Sequence, residues 1–185
     1  MLNILKEFII NYLSICQGVK FLKKNLAIIA LFAALTAVLS QIVIPIGPVP
    51  INLALISVFV AGGLLGWKSG AVSQIIFVLL GGLGLPIFAG FNGGIGAILG
   101  PTGGFIIGYI PCVMLIGCIK QRWLGMLLGL AVVYIMGISW YIYITGSSLA
   151  VAIMICVAPF LVGDFVKIVI SLLAIKRLRR IYNGN

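Results

Sequence analysis

Asp164 and Lys167 are the residues whose types and spacing point most directly to chemistry. They stand three apart in the apolar run VAPFLVGDFVKIVISLLAIKRLRR, and Asp164 is one of only two acidic residues in the chain. On a helix, positions i and i+3 share a face, so the two can touch each other or a common ligand. A charge held in hydrocarbon is costly, and an acid and base paired there mark a functional site by default. The alternative is a neutralised structural pair that holds its helix in a bundle. Asp accepts hydrogen bonds and Lys only donates them, which suits a polar ligand carrying both N–H donors and an acceptor or anion. Asn92, in GFNGG, adds one side chain able to do both, or else serves as a turn residue. Thr102, in GPTGG, joins such a site or caps a helix. The neighbouring glycines, Gly93 and Gly94 among them, permit close approach of backbone amides.

Other chemistries are poorly supplied. With no histidine, two carboxylates and no Ser or Cys beside a base, the sequence offers neither a hydrolytic triad nor a metal site. Cys16, Cys112, Cys118 and Cys156 lie scattered in apolar segments and read as small packing residues. No GxxxxGK[ST] phosphate loop is present, so any nucleotide chemistry must come from elsewhere. The expectation is a protein that is not an enzyme and uses no catalytic cofactor.

Composition decides the setting. The 185 residues are 63% hydrophobic and 8% charged, with a mean hydropathy of +1.34. Such a chain has too little polar surface for a water-soluble globule. It reads as an all-α membrane protein of six transmembrane helices, since about 20 residues cross about 30 Å of hydrocarbon. The net charge of +10 orients the protein in lipid and does not indicate nucleic acid.

Residues 1–24 place Leu2, Leu5, Ile9, Leu13 and Cys16 against Lys6, Asn11, Gln17 and Lys20, the pattern of an amphipathic interfacial segment. Residues 25–185 form the transmembrane domain. The first span is expected at 26–44, ended by Pro45 and the rigid turn through Pro48 and Pro50. A second runs over 51–65 to a Gly66, Trp67, Lys68 turn, and a third over 70–85 to Pro86. In the stretch 86–104, nine of nineteen residues are Gly or Pro, which makes it a loop. It stays apolar between its glycines and is expected to fold back onto the bundle. Spans four and five cover 105–119 and 124–145. The last apolar stretch carries Pro159, so residues 147–158 separate as a short outer helix and the sixth span begins near 157–159.

Orientation follows. With both termini cytoplasmic, the basic residues of the N-terminal segment, the 66–69 turn, the 120–123 turn and the C-terminus all fall inside, while the 45–50, 86–104 and 145–148 segments carry none. The Gly-rich loop and Asp164 then meet near the outer face. On the first helix Ala30, Ala33, Ala34 and Ala37 form a small-residue face that packs internally or docks another membrane protein. Trp140, Tyr141 and Tyr143 serve an interfacial belt or line an apolar pocket.

The ordered segments ALFAALTAV, IPIGPVPI, GLPIFAGFNGG, LGPTGGF and PFLVGDFVK resemble, from about Leu26 to Arg180, the BioY family, the biotin-specific S components of energy-coupling-factor vitamin transporters. The resemblance implies an S-component bundle in a prokaryotic cell membrane that captures biotin from outside and docks with a transmembrane T component and two cytoplasmic ATPases. A stand-alone facilitator without those partners is the alternative. By the same resemblance Asn92, Asp164 and Lys167 contact biotin. Asn52, Gly93, Gly94, Thr102, Tyr134 and Trp140 belong to the pocket or its lid, and the alanine face of the first helix contacts the T component. Many relatives carry Thr and Gln after PVPI, where this chain has Asn52 and Ala54; some carry a basic residue after GPTGG, where Ile106 and Ile107 stand. The resemblance therefore leaves the carboxylate of biotin to Lys167 and backbone amides.

Overall fold

The structure, a computed structural model, describes residues 26–45 and 48–183. The expected amphipathic segment 1–24 lies outside the described residues. The elements are α1 (Leu26–Ser40), β1 (Val43–Ile44), β2 (Ile51–Asn52), α2 (Ala54–Gly82), α3 (Ile95–Leu99), α4 (Gly103–Cys118), α5 (Arg122–Thr145), α6 (Leu149–Cys156) and α7 (Leu161–Asn183).

The 29-residue α2 is not one straight rod. At Gly66 the backbone takes φ 76° and ψ −177°, a region open essentially to glycine alone. A Cβ placed on Gly70 would consequently lie 3.6 Å from Ala61 O and Gly62 Cα. In a straight helix nine residues would separate such groups by about 13 Å. The chain therefore folds back into two antiparallel arms, 54–65 and 67–82, as the basic Gly-Trp-Lys turn predicts. Gly117 of α4 sits against this reversal so tightly that a Cβ there would lie 2.5 Å from Gly66 C and Trp67 Cα.

Helix α1 packs across both arms through a buried polar knot. Thr36 Oγ1 lies 2.9 Å from Ser57 Oγ and accepts from Gln74 Nε2 at 3.2 Å, so that one residue ties the two arms together. By length and composition α5 is long and apolar enough to cross a membrane, α6 with α7 form a further candidate bent by 47°, and the 29 residues of α2 are likewise apolar but divided between its two arms. The break falls at Pro159, as the sequence implies. Helix α5 ends where expected, with Gly146 in the left-handed conformation (φ 66°) donating to Ile142 O at 2.8 Å.

Three boundaries differ from the sequence reading. Helix α1 stops at Ser40, and Val43–Ile44 pair antiparallel with Ile51–Asn52 instead of extending it; β-branching and the following Pro45 both favour extended backbone. The second arm of α2 ends at Gly82, after which Gly84 turns at φ 105°. Within the Gly-rich stretch, Ile95–Leu99 forms the short helix α3. Of the cysteines, Cys112 and Cys156 pack in the interior, whereas Cys118 is exposed.

Candidate ligand-binding site

At the end of the bundle remote from Gly66 lies a cavity of about 460 Å³, within the roughly 300–1,000 Å³ of small-molecule sites. Its walls are mostly apolar and aromatic, with Leu55 and Phe77 from the two arms of α2, Phe105 and Tyr109 from α4, and Val133 from α5.

Asp164 and Lys167 lie in the first two turns of α7, where the i, i+3 spacing puts both on the inward face. They are 1% and 4% exposed. Lys167 Nζ donates to Asp164 Oδ1 at 2.7 Å. Tyr134 of α5 donates its hydroxyl to the other carboxylate oxygen at 2.5 Å. Each carboxylate oxygen thus holds one donor and keeps accepting capacity, and the ammonium has two further N–H groups. All three side chains line the cavity. A fully buried charge pair is a poor device for stability when apolar side chains would fill the same space as well, so its placement against a cavity favours a ligand role.

The cavity is covered by the segment between α2 and α4. Phe88 N donates to Asn92 O at 2.9 Å, closing a small hairpin, and Gly94 N donates to Gly81 O at 2.7 Å. The end of α1 clasps this hairpin. Ser40 Oγ donates to Ile87 O. Gln41 Nε2 donates to Phe88 O at 3.1 Å, while Gln41 Oε1 accepts from Phe91 N at 2.8 Å. Phe91 has φ 58°, a conformation uncommon for a bulky residue, and the Gln41 bond falls on its own amide. On the far side Trp140 donates from Nε1 to Gly100 O at 3.0 Å.

Asn52, Asn92, Gly93 and Thr102 line the cavity with the α7 pair. Asn92 has an exposed side chain whose amide donates to Ala89 O at 2.9 Å, and the positive φ values in its turn belong to Gly90 and Phe91 and not to it. Asn52, at the end of β2, accepts from Ala54 N at 3.1 Å, just ahead of α2. Gly94 and Trp140 do not line the cavity; the first anchors the cover to α2 and the second props it from behind. The alanine face divides. Ala30 and Ala34 are exposed, Ala37 is half-buried, and Ala33 is part of the core. Tyr141 is buried against Val49, Ala152, Cys156 and Phe160, whereas Tyr143 is exposed. Sequence reasoning missed Ser40 and Gln41, whose one visible signal is a pair of polar residues at the close of an apolar helix. Among the described residues no cluster of His, Cys, Asp or Glu could hold a metal ion.

The chain is similar to known proteins. The model of the BioY family matches residues 13–184. The chain is 43% identical over 158 residues to the probable biotin transporter BioY of Pyrococcus horikoshii, covering 84% of this chain and 96% of that protein. It is 34% identical over 161 residues to the biotin transporter BioY of Thermotoga maritima, covering 82% and 93%. A crystal structure at 2.1 Å of the S component for biotin from an ECF-type ABC transporter matches with a TM-score of 0.79 and 32% identity, covering 87% of this chain and 93% of that one.

Proposed function

The chain belongs to the BioY family, and we propose that it is the biotin-capturing S component of an energy-coupling-factor importer, an integral membrane protein with six traversals and both termini cytoplasmic. The observation that carries the assignment of the site is the buried Asp164–Lys167 pair facing a cavity with mostly apolar walls. Biotin offers complementary groups: a ureido ring with two N–H donors and a carbonyl, an apolar thiophane ring, and a carboxylate. Asp164 accepts a ureido N–H, Lys167 donates to the carbonyl or to the carboxylate, and Asn92 supplies both functions from the cover. Asn52, Gly93, Thr102 and Tyr134 complete the wall, and Gly94 and Trp140 support the lid. Ala30 and Ala34, with Ala37 at the edge, form the surface for a transmembrane T component, which couples to two ATPases. Ala33 stabilises α1 from within.

The decisive experiment is titration of biotin, desthiobiotin and thiamine into the detergent-purified chain. Tight binding of one biotin per chain, with thiamine ignored, is the expected result; absence of biotin binding would overturn the assignment. Uptake into sealed vesicles with and without the T component and ATPases separates an energised importer from a stand-alone facilitator.

The clasp on the cover yields a second expectation. Gln41→Leu removes the acceptor for Phe91 N and the donor to Phe88 O without touching the cavity lining. Biotin is expected to dissociate roughly tenfold faster, about 1.4 kcal/mol for two hydrogen bonds of which the exposed one contributes little. Stopped-flow displacement by excess ligand would show it. An unchanged off-rate would mean that the cover does not gate release.

A further inference from the structure

At the end of the bundle opposite the cavity, two arginines from different helices converge. Arg122, the first residue of α5, donates from Nη1 to Ile116 O at 3.0 Å. Arg179, near the end of α7, donates from Nη2 to Gly63 O at 2.9 Å. These carbonyls flank a single contact, because Ile116 packs so closely on Gly62 that a Cβ there would lie 2.8 Å from Ile116 Cβ. Two guanidiniums are therefore held by backbone on the two sides of one seam between α4 and the first arm of α2.

Like charges held together need a counter-charge, and the described residues supply none. Their one carboxylate, Asp164, is bound to Lys167 and precedes Arg179 by fifteen residues, about 22 Å along a helix. Each guanidinium has committed one N–H to a carbonyl and retains four donors in a planar fork suited to two oxygens of a phosphate. Arg179 is exposed and Arg122 half-buried, so both remain reachable. Trp67, whose backbone lies against Gly117 of α4, and Trp123, which follows Arg122 in α5, are 43% and 53% exposed. Exposed tryptophans at helix ends in a membrane protein sit at headgroup level.

We infer that Arg122 and Arg179 form a binding site for the phosphate of an anionic membrane lipid, seated across the seam between α4 and the first arm of α2. The backbone bonds pre-orient both forks, and the tryptophan rings set the depth. Occupancy halves the charge of the pair and clips the ends of α4, α5 and α7 to the α2 hairpin.

Native mass spectrometry of the purified full chain tests this, with phosphatidylglycerol and phosphatidylcholine of matched acyl chains as probes. One phosphatidylglycerol retained per chain in preference to phosphatidylcholine is expected, with a preference reduced roughly tenfold in Arg122→Gln/Arg179→Gln, the scale of a lost charge-assisted pair. Arg122→Lys/Arg179→Lys, which keeps the charge and removes the fork, is expected to fall between the two. Lys176→Gln/Arg177→Gln, altering exposed cations on the same end of α7, is expected to keep the preference. Equal retention of both lipids, survival of the preference in the glutamine double variant, or its equal loss in the lysine and arginine control would each overturn the site. Displacement of phosphatidylglycerol by millimolar inorganic phosphate would assign the site to a soluble anion and overturn the lipid. Helical circular dichroism and a monodisperse elution profile certify that each variant compared is folded.

Discussion

Lys167→Ala is expected to abolish biotin binding and to lower stability by about 3–5 kcal/mol, the usual result of leaving one member of a buried ion pair uncompensated. Asp164, 1% exposed, would keep only the Tyr134 hydroxyl as a partner. Asp164→Ala is expected to behave alike, with Lys167 stranded instead. The double variant Asp164→Leu/Lys167→Met separates the two roles of the pair. Replacement of a buried pair by apolar side chains of similar volume is often neutral or stabilising by about 1–4 kcal/mol, so this variant should recover stability while remaining unable to bind. Titration calorimetry and thermal unfolding in the same detergent provide both readouts. Tight biotin binding by the double variant would make the pair structural and move the site elsewhere in the cavity.

The second large effect is expected at the reversal of α2. Nothing lies within 4 Å of the position a side chain would take at Gly66, so Gly66→Val tests the backbone alone. Its φ of 76° with ψ near 180° costs an L-residue about 1–3 kcal/mol, and a β-branched one most. Gly117→Ala reaches the same joint by collision, since its new methyl meets the Gly66 and Trp67 backbone at 2.5 Å. Both variants are expected to lose folded protein at temperatures the parent survives, as followed by size-exclusion chromatography after heating. Wild-type survival of Gly66→Val would mean that the two arms do not depend on this conformation for their reversal. Since Thr36 ties the arms together, opening the joint should also loosen α1 and, through Gln41, the cover of the cavity.

Much of this arrangement was legible in the chain, because its signals are local. Pro159 marks the break between α6 and α7, Pro45 and Pro86 announce breaks that the structure places several residues earlier, at Ser40 and Gly82, and the Gly66, Trp67, Lys68 turn announces a reversal. An acid and a base three apart in an apolar run need no tertiary information to be recognised as a pair. What escaped were the specific contacts between distant segments. The strand pair Val43–Ile44 with Ile51–Asn52 is too short to show a period. The Gln41 clasp joins residues 47 and 50 positions apart. The Tyr134 bond to Asp164 spans 30 positions, with Tyr134 recognisable only through resemblance to a family.

The direction each helix faces was the hardest matter. In a soluble protein the polar stripe identifies the outside, but lipid and core are equally apolar, so a membrane helix carries almost no contrast between its faces. The four alanines of α1 illustrate this: the spacing groups Ala30, Ala33, Ala34 and Ala37, and only packing against α2 turns Ala33 inward and leaves Ala30 and Ala34 free. Sequence alone determined that this chain lives in a membrane, where its helices break, and which acid and base it hides there. Tertiary packing decided which faces turn inward, what covers the cavity, and which carbonyls hold the two arginines, because those depend on surfaces that hydropathy cannot tell apart.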